Sequence, residues 1–246
     1  MKNIILCADD FAINAETSRG LLDLIRRERL SAVSCMTNYP DWKTSGIALK
    51  EHTQKIQLGI HFNFGNTPMP LTLLRAYLRS LSTQKISDEI TRQITLFFDV
   101  MGKLPDFIDG HEHIHQFPVI RDALITVYEK IFLQKTTYIR STCNQQPEFK
   151  ARIIQTLGGN ALRKLLNLHK IPHNTSFAGI YNFNQAKNYR TYFLKFLDTV
   201  EDGGILMCHP GFSENPENSR QLEYQYFASA TFLEDLQTKN FSLTRS

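Results

Sequence analysis

Short apolar runs alternating with longer stretches of helical periodicity constrain this chain more than any other feature of its sequence. The runs Asn3–Ala8, Ala32–Thr37, Gln57–Phe62, Asp106–Asp109, Thr137–Ser141, Phe177–Ile180 and Gly204–Cys208 read as strands. Helices are expected between and after them, over Glu16–Arg29, Trp42–His52, Ser87–Met101, Pro118–Phe132, Glu148–His169, Ala186–Val200 and Arg220–Thr238. The third is the plainest, with Ile86, Ile90, Ile94, Phe97 and Phe98 on one stripe and Asp88, Glu89, Arg92 and Gln93 off it. Repeated strand–helix units call for a parallel sheet, and seven of them favour a barrel or near-barrel, with an open doubly wound sheet as the alternative.

The chain has 246 residues, 42% hydrophobic and 21% charged, enough to bury a substantial core in a single domain spanning 1–246. Its 28 basic and 24 acidic residues are mixed along the sequence, and the densest basic cluster, Arg26, Arg27 and Arg29, reads as a solvated helix face. No nucleic-acid groove is therefore expected. The first apolar run stops at Asp9 and Asp10, short of a signal-peptide core, and no segment approaches the ~20 apolar residues of a membrane span. Cys7, Cys35, Cys143 and Cys208 lack CxxC spacing and read as buried reduced thiols, so a soluble cytoplasmic protein is expected. The stretch Ala161–Lys170 reads as a core-facing amphipathic helix, and the sequence leaves a homodimer open. Two long connections, Asn63–Ile86 and His169–Ser176, are expected to shape a binding site.

Ligand-type side chains gather at predicted strand ends. DGHEHIH places His111, His113 and His115 in five residues beside Asp109 and Glu112. Asp9 and Asp10 follow NIILCA directly, and two carboxylates there are costly unless a metal or hydrogen bonds receive them. The alternative use, a helix N-cap, needs one residue, and Asn14 can fill it. His61 and His209 end two further strands. In an α/β barrel these ends share one face, so residues far apart in sequence converge. One carboxylate and two imidazoles with an open position make a catalytic metal site, a second carboxylate can take a water's proton, and a further histidine can protonate a leaving group. Such a set describes hydrolysis of an amide or ester. Arg140 ends TTYIRS on the same face, to steady a base, bind a polar substrate or form a surface ion pair, and Phe62, Phe64, Tyr181, Phe183 and Phe212 suit an aromatic rim for sugar rings.

ADDF at Ala8–Phe11, GIHFN at Gly59–Asn63, DGHEHIHQFP at Asp109–Pro118 and MCHPGF at Met207–Phe212 together resemble the YdjC-like carbohydrate deacetylases, in that family's order and over nearly the whole chain. The resemblance implies a distorted seven-stranded (β/α) barrel of the polysaccharide-deacetylase type, removing an N-acetyl group from an amino sugar such as a chitooligosaccharide or a lipid-linked glycoside. It also implies Asp10, His61 and His111 as metal ligands, Asp9 as general base and His209 as general acid. Spacing alone leaves the roles of Asp9 and Asp10 interchangeable. Arg140, Phe64 and Phe212 are expected on the substrate, and Asp109 and His115 are additional candidates, His115 for its H-x-x-x-H spacing from His111. Glu112 and His113 are expected to be dispensable. Family resemblance points to Mg²⁺, whereas His and Asp ligands suit Zn²⁺. A metal-dependent barrel phosphoesterase, a sugar isomerase and a non-catalytic carbohydrate-binding protein are the competing readings.

Overall fold

A computed structural model describes residues 1–65, 67–144 and 149–244. The first half runs β1 (Lys2–Phe11), α1 (Ala15–Arg26), β2 (Ala32–Cys35), α2 (Trp42–Lys50), β3 (Gln57–Phe62), α3 (Met69–Tyr77), α4 (Thr83–Met101), β4 (Phe107–Gly110) and α5 (Ile120–Ile131). It continues with β5 (Tyr138–Ile139), α6 (Phe149–Ile154), α7 (Asn160–Leu168), β6 (Phe177–Ala178), α8 (Tyr189–Thr199), β7 (Gly204–Cys208), α9 (Ser219–Ala228), α10 (Ala230–Thr238) and β8 (Phe241–Leu243). The strands form one parallel sheet in the order β5-β4-β3-β2-β1-β7-β6, curled into a half-barrel with helices outside. β8, absent from the sequence expectation, pairs with the start of β1 from Lys2 to Ile4.

The period of two along each strand separates two interiors. Ile4, Leu6 and Ala8 join the large core beneath the helices, while Cys7 packs inside the curl with Ala32, Phe107, Phe177, Ile205 and Met207. Two residues further along, the same inward rows carry Asp9, Ser34, His61, Asp109, Arg140 and His209. An apolar lower layer thus supports a polar upper layer at the strands' C-terminal ends. Gly59 sits between Ser34 and Phe107 because a Cβ there would come within 2.3 Å of the Phe107 ring. Gly59→Ala is expected to destabilise the fold by about 1–3 kcal/mol, read as a lower urea midpoint.

Among the described residues β5 and β6 form no ladder, which is why the barrel is distorted. The seam is closed by one backbone bond, Ile139 N–H to the Pro172 carbonyl at 3.0 Å, and by Asn174. That side chain accepts from Ser141 N–H at 2.8 Å and donates to the carbonyls of Ser141 at 2.9 Å and Ser176 at 2.7 Å. The long connection His169–Ser176 therefore shapes the barrel wall.

Three helix expectations are corrected. The 63–86 connection contains α3, whose second residue is Pro70, with φ already fixed for a helix start. The expected helix Glu148–His169 is interrupted by a π-turn at Gln155–Gly159, where Gly158 takes φ 153°; Glu148 lies outside the described residues. Arg220–Thr238 breaks at Ser229, which leaves the helix at ψ 162° and caps α10 by accepting from Phe232 N–H at 3.3 Å. As expected, α7 turns Leu162 and Leu166 into the core, and all four cysteines are buried free thiols. Among the described residues no helix is long and apolar enough to cross a membrane.

Candidate metal centre and active site

Adjacent residues of a regular strand face opposite ways, yet Asp9 and Asp10 both line the same cavity. A bulge between Ala8 and Phe11 is the cause: three steps along β1 match two along β2 (Ala8↔Val33, Phe11↔Cys35), and Asp10 takes the left-handed φ of 67°. Such a conformation costs a non-glycine residue roughly 1–3 kcal/mol and is retained where the surroundings over-determine it. Asn14 caps α1 by accepting from Thr17 N–H at 2.8 Å, so neither aspartate is used as the helix cap.

The two carboxylates have different partners. Asp9, 1% exposed, is gripped at both oxygens by the Arg140 guanidinium, each contact 2.7 Å, and the same guanidinium lies 2.5 Å from Asp109 and 2.9 Å from the Cys7 sulfur. Burial alone would push the Asp9 carboxyl up, but Arg140, His61 and His209 outweigh it and hold the carboxyl well below the usual range. Asp10 Oδ1 lies 3.2 Å from His61 Nε2 and 2.9 Å from His111 Nδ1, and Oδ2 accepts from Arg220 at 2.5 Å.

His61 is oriented from behind. Its Nδ1–H donates to Asp109 Oδ1 at 2.6 Å, and Ser34 Oγ donates to the same oxygen at 2.6 Å, which turns Nε2 toward Asp10. His111 follows β4 directly, at the start of a tight turn in which Glu112 and His113 take φ of 50° and 60°. The turn puts the His111 ring edge-on to His61, centroids 5.4 Å apart, with its side chain 31% exposed to the cavity.

One oxygen and two nitrogens of Asp10, His61 and His111 lie within 4.8 Å of one another, a donor set that fits a divalent cation with a free side. The charge balance agrees. Burial opposes a proton on His61, yet the Asp109 and Asp9 carboxylates raise its pKa to about 10, so this pocket of negative charge holds a cation in the form of an imidazolium. A second cluster, Cys7, Asp9 and Asp109, has its positive charge already in Arg140.

His209 follows β7 and completes the cavity wall. Burial pushes its pKa down to about 4, although Asp10 and Asp9 favour its protonated form. The cavity measures about 600 Å³. Met69, Phe117, Ile153, Leu157 and Phe183 are among its apolar lining, and the half-exposed Phe183 ring meets His209 edge-on at 5.1 Å.

The family profile described as YdjC-like protein matches residues 3–238. The chain belongs to the YdjC-like family. Among curated relatives of this YdjC-like chain, a chitooligosaccharide deacetylase of Yersinia enterocolitica is 24% identical over 235 residues, covering 86% of this chain and 82% of the relative. Among solved structures, an Enterococcus faecalis protein named for cellobiose-phosphate cleavage is 14% identical and superposes with a TM-score of 0.71, covering 99% of this chain and 97% of that one. The Bc1960 peptidoglycan N-acetylglucosamine deacetylase is 11% identical with a TM-score of 0.56, covering 98% and 85%. The structural likenesses establish the polysaccharide-deacetylase-like barrel.

Several expected site residues of the YdjC-like chain stand elsewhere. Arg140 is wholly buried and lies beneath the cavity, where it steadies Asp9 and cannot meet a substrate. Phe64 lines a separate small groove with Thr67 and Leu81, and Phe212 packs on Tyr224 at 4.6 Å. His115 turns away, its Nε2–H donating to the Arg140 carbonyl at 3.0 Å, because the left-handed turn destroys the helical geometry that H-x-x-x-H requires. Asp109 stands behind His61 and off the cavity. Sequence reasoning passed over Arg220 and Glu223, both in the first turns of α9; their spacing of three after MCHPGF was the available signal.

Glu223 is fully buried, and burial raises its pKa to about 7. A carboxyl whose folded pKa lies above its unfolded value lowers stability progressively as pH rises between the two. Glu223→Gln is therefore expected to gain stability relative to the parent between about pH 5 and 8, by up to ~3 kcal/mol, read from denaturant midpoints at the two ends.

Proposed function

We propose that this YdjC-like protein is a metal-dependent carbohydrate N-deacetylase, hydrolysing the acetamido group of an N-acetylated amino sugar, a chitooligosaccharide or a lipid-linked glycoside, to acetate and a free amine. The observation that carries the reading is the convergence of an Asp10, His61 and His111 donor set with an Arg140-held Asp9 and with His209 in one cavity. The name of the Yersinia relatives supports the reaction class. Among the described residues lining the cavity, Arg220 is the only Lys or Arg, and it is engaged by Asp10, which favours amide over phosphoester hydrolysis.

Asp10, His61 and His111 would hold the ion, Mg²⁺ in first place and Zn²⁺ as the alternative. A bound divalent ion supplies carbonyl polarisation and a water of lowered pKa. Asp9, fixed as a carboxylate by Arg140, is placed to accept a proton from the attacking water as the water's oxygen bonds to the acetyl carbon. His209 rests neutral; the proton that Asp9 takes from the water passes to it, the neighbouring carboxylates favouring the imidazolium, and His209 delivers that proton to the departing nitrogen as the C–N bond breaks. Phe183 faces one side of the sugar, and Phe183→Ala is expected to raise KM about 3- to 10-fold with little change in kcat. Four buried thiols suit a reducing compartment, and the reading extends to a cytoplasmic location.

The test is acetate release from N,N′-diacetylchitobiose, longer N-acetylated chitooligosaccharides and a lipid-linked N-acetylglucosaminide, using protein stripped with chelator and reloaded with Mg²⁺ or Zn²⁺. Ion-dependent release from any of them is expected. No release with either ion, or undiminished release from stripped protein, overturns the reading.

A further inference from the structure

The segment after β7 carries His209 but forms no regular structure of its own until α9. Three of its alternate backbone N–H groups end on the first turns of that helix. His209 N–H donates to Glu223 Oε2 at 2.6 Å, Gly211 N–H to the Arg220 carbonyl at 3.0 Å, and Ser213 N–H to Gln221 Oε1 at 3.0 Å. Of these acceptors Glu223 is the one that is fully buried and carries a charge. Its other oxygen accepts from Tyr181 O–H at 2.5 Å, at the base of the loop that brings Phe183 against the His209 ring.

Resting on the deacetylase reading, we propose that Glu223 is a positioning residue: one buried carboxylate clamps the His209 backbone and the Tyr181 hydroxyl together, fixing the proton donor against the wall that faces the sugar. The sequence places Glu223 14 residues beyond His209, so the helix that follows the catalytic strand locks that strand's terminus. A hydrophobic side chain would fill the same space, but it would leave a buried N–H and a buried hydroxyl without partners, each costly. The carboxyl, raised to about 7 by burial, remains an acceptor through both oxygens in the ionised form. The charged and titratable groups around it are Tyr181, Tyr189, Cys208, His209, Arg220 and Asp9.

The distinction from a merely structural carboxylate lies in what stays constant. In Glu223→Ala, kcat for acetate release is expected to fall about 10- to 100-fold, as misplacement of a reacting group by about an ångström does, with calorimetric Zn²⁺ affinity held within about threefold. Glu223→Gln, which keeps an acceptor for the His209 N–H, is expected to restore kcat to within about threefold of the parent. The ring ¹H–¹⁵N signals of His209, assigned by their loss in His209→Ala, are expected to move in Glu223→Ala and to stay near the parent positions in Glu223→Gln. This spectroscopic arm needs no turnover, so it reads the clamp even if acetate release fails and the deacetylase reading falls. Unmoved His209 signals in a folded Glu223→Ala protein overturn the proposal. So does a parallel loss of Zn²⁺ affinity and kcat, and if Glu223→Ala does not fold, a Glu223→Gln protein with displaced His209 signals overturns it equally.

Discussion

Asp9→Asn is expected to lower kcat for acetate release by about 10²- to 10⁴-fold, the range that a positioned general base contributes. The substitution keeps the shape of the side chain and a hydrogen-bonding oxygen for Arg140, but removes the charge that would accept the water's proton in the proposed reaction. The Asp10, His61 and His111 donors are untouched, so Mg²⁺ or Zn²⁺ affinity by calorimetry is expected to stay close to the parent value. The reciprocal change, Asp10→Asn, is expected to lose both the affinity and the activity. Equal metal loss in the two variants would dissolve the division of labour between neighbouring carboxylates, and an Asp9→Asn enzyme of parental kcat would remove Asp9 from the chemistry.

Replacing Arg140 has the largest expected effect on the fold. Its side chain is wholly buried between the Phe107 and Phe177 rings, 5.9 Å from each centroid, and it neutralises Asp9 and Asp109 at contact distance. Arg140→Leu leaves two buried carboxylates without their cation, a loss of about 3–5 kcal/mol in denaturant unfolding at neutral pH. The pH dependence has a definite sign. In the parent, Asp9 has a depressed folded pKa, so its contribution is present above the unfolded carboxylate pKa and disappears as pH falls. In the variant, burial without Arg140 raises that pKa, and protonation relieves the strain. The stability gap between parent and variant is therefore expected to narrow from pH 7 toward pH 4. A gap that widens in acid would show that Arg140 is not what keeps these carboxylates charged.

What the sequence made legible follows from periodicity. Gln57–Phe62 and Gly204–Cys208 are apolar runs bounded by polar or turn residues, and both are strands over those same residues. The convergence of Asp10, His61, His111 and His209 was readable because each lies at or just beyond the C-terminal end of such a run, and parallel strands deliver their ends to one face. Local irregularity was not readable. Strict alternation would have sent Asp9 and Asp10 to opposite sides, and the bulge that reunites them depends on pairing with β2 rather than on any residue signal. For Arg140 the sequence allows steadying a base, binding a polar substrate or a surface ion pair; the first matches its grip on Asp9, and its burial was not readable because the two aspartates that support it, Asp9 and Asp109, are distant in sequence. The aromatic rim could not be sorted either: Phe183 faces the cavity whereas Phe64 and Phe212 pack elsewhere, a choice made by loop paths and not by composition.

The seam between β5 and β6 gives this enzyme-like scaffold a place where growth is cheap. A cylinder sealed all round by strand ladders can change its girth only by shifting every register at once. Here one backbone hydrogen bond and the Asn174 side chain span the gap, so the excursion between Ile139 and Phe177 can lengthen or shorten while the rows that carry the carboxylates and imidazoles keep their alignment. Variation in the girth of the barrel is thereby uncoupled from the alignment of the cavity's polar rows.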